Sequence, residues 1–95
     1  MKKFFFSVLI ITSILTTSVF AEIKIGIILG FTGPIKDLTP AMAESAEIAI
    51  KEASDSGSLL NGETIKVERA DSTCKDPSAA SDAAKEIISQ GVKAI

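Results

Sequence analysis

The stretch Ile23-Lys24-Ile25-Gly26-Ile27-Ile28-Leu29 is nearly continuously apolar, broken only by Lys24 and Gly26, and it runs into a loop carrying Gly30, Gly33 and Pro34. A short apolar run of this kind suits a central strand of a parallel sheet, covered on both faces. The reading of the whole chain follows from what stands on either side of it.

Toward the C-terminus the loop extends to Leu38, and Thr39-Pro40 predicts a helix start, with Thr able to cap free amides and Pro favoured in the first turn. Met42, Ala46, Ala49 and Ala53 then share one helix face, and Glu47 with Lys51 forms a favourable i,i+4 pair. Ser54 to Gly57 ends that helix, and Asn61-Gly62 marks a turn. From Thr64 to Ala70, Ile65 and Val67 alternate with Lys66, Glu68 and Arg69, which predicts a strand with one wet face, nearer a sheet edge. Asp71 to Lys75 is a polar loop, and Asp76-Pro77 repeats the cap-plus-proline signal. Ala80, Ala83, Ala84, Ile87 and Ile88 supply an amphipathic stripe, Gly91 is the stop, and Val92 opens a third strand. The order β-α-β-α-β implies an α/β fold: a parallel sheet with right-handed crossovers and helices on both faces, in three layers.

Toward the N-terminus, Lys2 and Lys3 precede an apolar run from Phe4 to Leu15, and Val19-Phe20-Ala21 closes it with small residues at its first and last positions. This is the pattern of a secretory signal peptide over residues 1–21, cut between Ala21 and Glu22. The run is too short to span a bilayer, which takes about 20 residues. No Cys follows the cut, so a lipid anchor there is not indicated. With the leader go two of the 10 basic residues and none of the 12 acids, which takes the formal net charge from −2 to −4. A mildly acidic, exported chain offers no electrostatic footprint for nucleic acid or anionic lipid.

A mature segment this short buries little surface and is marginal without staples. The sequence stops at Val92-Lys93-Ala94-Ile95, at the apolar start of a strand, and we expect it to be the first part of a longer protein.

In an open α/β sheet, ligands bind beyond the carboxyl ends of the strands. The segment from Gly30 to Thr39 lies there, either as a ligand-facing lip or as an ordinary connection whose glycines turn the chain. Gly26, Gly30 and Gly33 do not have the spacing of a dinucleotide fingerprint, and no Walker-type G-K-[ST] occurs. There is no His, so no nucleophile–histidine pair can form within the segment, and a zinc site is not indicated. No catalytic residue, metal site or cofactor is expected. Cys74 is the lone cysteine: either it pairs with a Cys beyond Ile95, or it is a semi-buried free thiol.

Residues 22–95 resemble the start of a bacterial branched-chain amino-acid (Leu/Ile/Val) binding protein of an ABC importer, with the type I periplasmic-binding fold and its Rossmann-like lobes. The residues that carry it are Ile23-Lys24-Ile25-Gly26, Gly30-Phe31-Thr32-Gly33-Pro34, Leu38-Thr39-Pro40-Ala41-Met42-Ala43 and Ala46 to Glu52. The most specific are Ala70-Asp71-Ser72-Thr73-Cys74-Lys75-Asp76-Pro77-Ser78-Ala79-Ala80 and Ala84 to Ile95. The resemblance implies two α/β lobes closing on one amino acid, with residues 22–95 the start of the first lobe. It implies a periplasmic monomer that hands its solute to an inner-membrane permease. Where relatives place a Tyr against the ligand, this chain has Leu38, which can pack on an aliphatic side chain but cannot donate a hydroxyl. It also implies a Cys shortly beyond Ile95 as the partner of Cys74.

The expected function is therefore extracytoplasmic capture of an amino acid or similar small polar solute, without chemistry. Leu38 and Thr39 border the cleft, and Gly33 and Pro34 shape the loop. The alternatives are a ligand-sensing ectodomain built on the same two-lobed module, marked by a transmembrane segment downstream, and an exported α/β enzyme, marked by a His or nucleophile outside this sequence.

Overall fold

β1 (Ile23–Leu29) pairs in parallel with β2 (Ile65–Asp71), in register from Ile23 opposite Ile65 to Leu29 opposite Asp71. The structure, a computed structural model, describes residues 22–95, so the leader and its last residue Ala21 lie outside the described residues. Helix α1 (Thr39–Asp55) joins the two strands, and α2 (Pro77–Ser89) follows β2. Past α2, the Gly26 amide donates to the Ala94 carbonyl at 2.8 Å and the Lys93 amide to the Lys24 carbonyl at 2.8 Å. Ile23, an odd-numbered residue, instead donates toward β2, to Thr64. Successive residues of a strand point their amides to opposite edges, so the segment around Ala94 lies on the free edge of β1. β1 is thus flanked on both sides, as expected of a central strand. The third strand itself is a single parallel bridge, Ile25 to Ala94, because the chain leaving Gly91 reaches pairing distance only at Lys93 and Ala94.

The two helices cover opposite faces. Arg69, on the odd-numbered face of β2, grips Glu47 of α1, whereas Gly26, on the even-numbered face of β1, lies against Ile87 of α2. This is the three-layer α/β/α arrangement, built on β-α-β-α with the start of a further strand. Its buried centre holds Gly26, Gly30, Thr39, Ala43, Ala83 and Ile87. Small residues dominate, so helices and sheet approach closely.

Local signals set the helix ends, with one correction. Asp76 caps α2 as expected, its carboxylate accepting from the Ala79 amide at 2.8 Å, and Gly91 takes a positive φ just past the last turn. Thr39, however, is not the cap of α1; Leu38 holds that position without a side-chain bond. The Thr39 hydroxyl donates instead to the Gly30 carbonyl at 3.0 Å, in the interior. The inward face of α1 is correspondingly Thr39, Ala43, Ala46, Ile50 and Ala53, and Met42 and Ala49 are exposed. In α2, contact with the sheet runs through Ile87, and Ile88, next round the helix, is exposed.

The expected Glu47–Lys51 pair is also replaced. Glu47 accepts two bonds from Arg69, at 2.6 and 2.7 Å, and Lys51 pairs with Asp55. The planar guanidinium fork matches a carboxylate better than one ammonium can.

Candidate functional site

Two loops meet beyond the carboxyl ends of the strands: residues 30–38 after β1 and residues 72–76 after β2. They begin side by side, because the Ser72 amide donates to the Leu29 carbonyl at 2.9 Å. The first loop doubles back on itself through Leu38 N–H to Ile35 O at 3.0 Å.

The joint between them is made by Asp71, the last residue of β2. Its Oδ2 accepts the Thr32 hydroxyl at 2.6 Å, and its Oδ1 accepts the Thr32 amide at 3.2 Å and the Thr73 amide at 2.8 Å. The Thr32 hydroxyl first, and then the Thr73 amide, hold the Asp71 carboxyl below the usual carboxylate range. Bonds to a charged acceptor are stronger than neutral ones, which matters at a site open to water.

Backbone contact closes the rest of the joint. Gly33 has φ 91°, and a Cβ there would lie 2.1 Å from the Thr73 carbonyl oxygen. A Cβ on Gly30 would lie 2.8 Å from the Cys74 Cβ. Thr73 and Cys74 both adopt left-handed backbone, φ 59° and 56°. For a β-branched residue this conformation is costly and persists only where its surroundings over-determine it. Here the Asp71 carboxylate, Gly33 and Gly30 do so.

Arg69 fastens the same loop from the α1 side. Its guanidinium lies 5.4 Å from the Phe31 ring centroid while it grips Glu47. That bond is the main reason the Glu47 carboxyl is held low and the Arg69 guanidinium high.

The residues expected at the site take distinct positions. Gly33 and Pro34 are in the loop, with Gly33 at its tightest point. Leu38 is 66% exposed at the loop's end, so a large aliphatic side chain is presented to solvent from a tethered frame. Thr39 is in the same place but fully buried, with its hydroxyl committed to Gly30, so its side chain braces the loop from behind. Cys74 is exposed rather than semi-buried, and no second cysteine stands among the described residues. Glu22 begins the described chain at the far end of the sheet.

Sequence reasoning passed over Asp71, Thr32 and the Arg69–Phe31–Glu47 group. The one usable signal was an acid at a strand's carboxyl end; its partner, 39 positions earlier, carries no mark in the sequence.

An open groove also runs between the C-terminal half of α1 and the start of β2, lined by Glu47, Ile50, Lys51, Ser54, Thr64 and Ile65 among others. It lies toward the amino ends of the strands, where no free helix N-terminus faces it, so we place the site at the lip and not there. Among the described residues, no three His, Cys, Asp or Glu side chains are grouped to hold a metal ion.

A family model described as periplasmic binding protein matches residues 22–95. No curated protein and no solved structure matches the chain.

Proposed function

Because the chain belongs to the periplasmic binding protein family, we propose that it is the solute-binding component of an ABC importer and that its solute is an amino acid of the branched-chain type. Family membership carries the coarser part: binding of a small molecule outside the cytoplasm, in a family that is generally non-enzymatic. The finer part rests on one observation above all. Leu38 stands 66% exposed at the carboxyl end of the sheet, on a loop held down through Phe31, Thr32 and Gly33.

In this reading Leu38 packs on the aliphatic side chain of the solute, and Gly33 and Pro34 fix the loop that presents it. Thr39 borders the cleft from within the lobe as a brace. Solute contacts to both lobes stabilise closure about a hinge, and a monomer then delivers the solute to an inner-membrane permease. Residues 1–21 act as the leader, cut before Glu22, and Cys74 pairs with a Cys beyond Ile95.

The test is calorimetric titration of the full-length mature protein with leucine, isoleucine and valine. Saturable binding of at least one is expected, weakened by Leu38→Asp about tenfold or more with little change in Tm, since an exposed side chain contributes little to the fold. Unchanged affinity in the variant removes Leu38 from the site. A protein that binds none of the three but takes up an amide or urea overturns the branched-chain reading.

A further inference from the structure

We propose that Asp71 is a positioning residue for this site: its carboxylate locks the loop carrying Gly33, Pro34 and Leu38 to the loop carrying Thr73 and Cys74, and so sets the geometry in which the lobe meets its solute. The inference rests on the lip being the solute-facing surface.

Three observations converge on it. The carboxylate sits between the loops and takes bonds from both, two from Thr32 and one from Thr73. Two bonds to one residue fix the direction of the loop as well as its distance, which a single contact does not. Next, Thr73 is held in left-handed backbone, and the amide that Asp71 accepts is Thr73's own. Finally, the Thr73 carbonyl is the group against which Gly33 packs, where a Cβ would be 2.1 Å away. Without Asp71, Thr73 loses a bond that keeps it in its unfavourable conformation. Relaxation of Thr73 swings its carbonyl and frees Gly33, and with it the segment leading to Leu38. Asp71 therefore acts on Leu38 at a distance, without being a solute contact.

The experiment uses the full-length mature protein, with Asp71→Ala and Asp71→Asn, and two readouts. Hydrogen exchange by mass spectrometry follows peptides over residues 31–38 and 72–76, with residues 39–55 as the internal reference. Exchange in both loops should rise about tenfold in Asp71→Ala and less in Asp71→Asn, which retains one acceptor oxygen, while the reference stays unchanged. Calorimetry with leucine then runs a double-mutant cycle between Asp71→Ala and Leu38→Asp. The penalty of Leu38→Asp should be markedly smaller when Asp71 is already gone, because a loosened loop no longer holds Leu38 in place.

Unchanged exchange in the loops overturns the proposal. So does an equal rise over residues 39–55, which would make Asp71 a support of the fold at large, and so does strict additivity in the cycle. If the Ala variant fails to fold, Asp71→Asn carries both arms. Failure of the unaltered protein to bind leucine, isoleucine or valine would overturn the branched-chain reading, and the exchange arm would still decide whether Asp71 locks the loops.

Discussion

Gly33 and Thr73 touch backbone to backbone: a methyl group on the Gly33 Cα would sit 2.1 Å from the Thr73 carbonyl oxygen. No side chain can turn aside to relieve such a contact. Gly57 is the natural control, since it also has a positive φ, 67°, yet nothing lies within 4 Å of the same position. Gly57→Ala should cost only the backbone term, about 1–2 kcal/mol. Gly33→Ala should cost more than that and should weaken solute binding as well, because the two loops must separate. Denaturant unfolding and calorimetry of both variants check this; equal penalties would mean the lip yields freely.

Acid should destabilise the fold through identifiable carboxylates. Asp76 is held below the usual carboxylate range by the Ser78 hydroxyl and then the Ala79 amide, Asp71 by Thr32 and Thr73, and Glu47 by Arg69. Each value is lowered on folding, so the folded chain holds these protons more weakly than the unfolded one. The stability they lend is present above the ordinary carboxylate pKa, about 4, and is lost as the pH falls through the lowered folded values. Tm should therefore drop from about pH 5 downward. Asp76→Asn still offers an oxygen to the Ala79 amide, so it should match the parent near neutrality and lose less on acidification. Parallel Tm-against-pH curves for the two would exclude the cap carboxylate as a contributor.

These titrating groups show how unevenly the sequence can be read. Asp76-Pro77 announces the start of α2 because cap, proline and recipient amide lie within four residues. The position of the loop after β1 was equally legible, since a strand followed by a glycine-bearing loop puts that loop at the carboxyl end of the sheet. Its partnerships were not. Asp71 reads as one more solvated acid until the sheet register sets it beside the residues that follow Leu29, its cross-strand neighbour. Glu47 reads as the partner of Lys51 until β2 brings Arg69 within 2.6 Å. Thr39 reads as a cap until the Gly30 carbonyl claims its hydroxyl. For Glu47 and Thr39 a contact from outside the helix displaced one available at the helix itself, and for all three residues periodicity along the chain carries no record of the partner.

Thr39 and Leu38 should separate stability from binding. Thr39→Val keeps the shape but leaves the Gly30 carbonyl without its donor in the interior, at a cost of about 1–3 kcal/mol. Solute affinity of the folded variant should stay close to that of the parent. Leu38→Asp should do the reverse. If Thr39→Val lowers affinity as much as Leu38→Asp does, its hydroxyl reaches the solute after all.

Arg69 joins β2, α1 and the Phe31 loop through groups that are open to solvent, so its contribution should be modest and sensitive to salt. Arg69→Lys keeps the charge but gives up the two-pronged grip on Glu47. Its Tm deficit should shrink as ionic strength rises from about 0.01 M to about 1 M, over which the Debye length falls from about 30 Å to about 3 Å. A deficit independent of salt would shift the weight to packing of the guanidinium on Phe31.

The packing of α2 on β1 can be tested by exchanging bulk across it. A Cβ on Gly26 would lie 2.8 Å from the Ile87 Cδ1, with Ile95 Cγ1 at 3.3 Å and Ile87 Cγ1 at 3.4 Å. Ile87 is 1% exposed, so it has little room to retreat. Gly26→Ala should therefore cost about 1–3 kcal/mol by overpacking. Ile87→Val alone should cost about 0.5–1.5 kcal/mol, because it deletes a buried methyl and leaves a small void. Valine lacks Cδ1, the atom in the way, so the methyl added at Gly26 enters the space that the second change opens. The double variant should then be more stable than the sum of the single losses allows, though short of the parent because the contacts at 3.3 and 3.4 Å remain tight. Chemical unfolding of the four proteins measures the coupling. Simple additivity would mean that the backbone of β1 shifts to admit the methyl and that Ile87 does not set the spacing between helix and sheet.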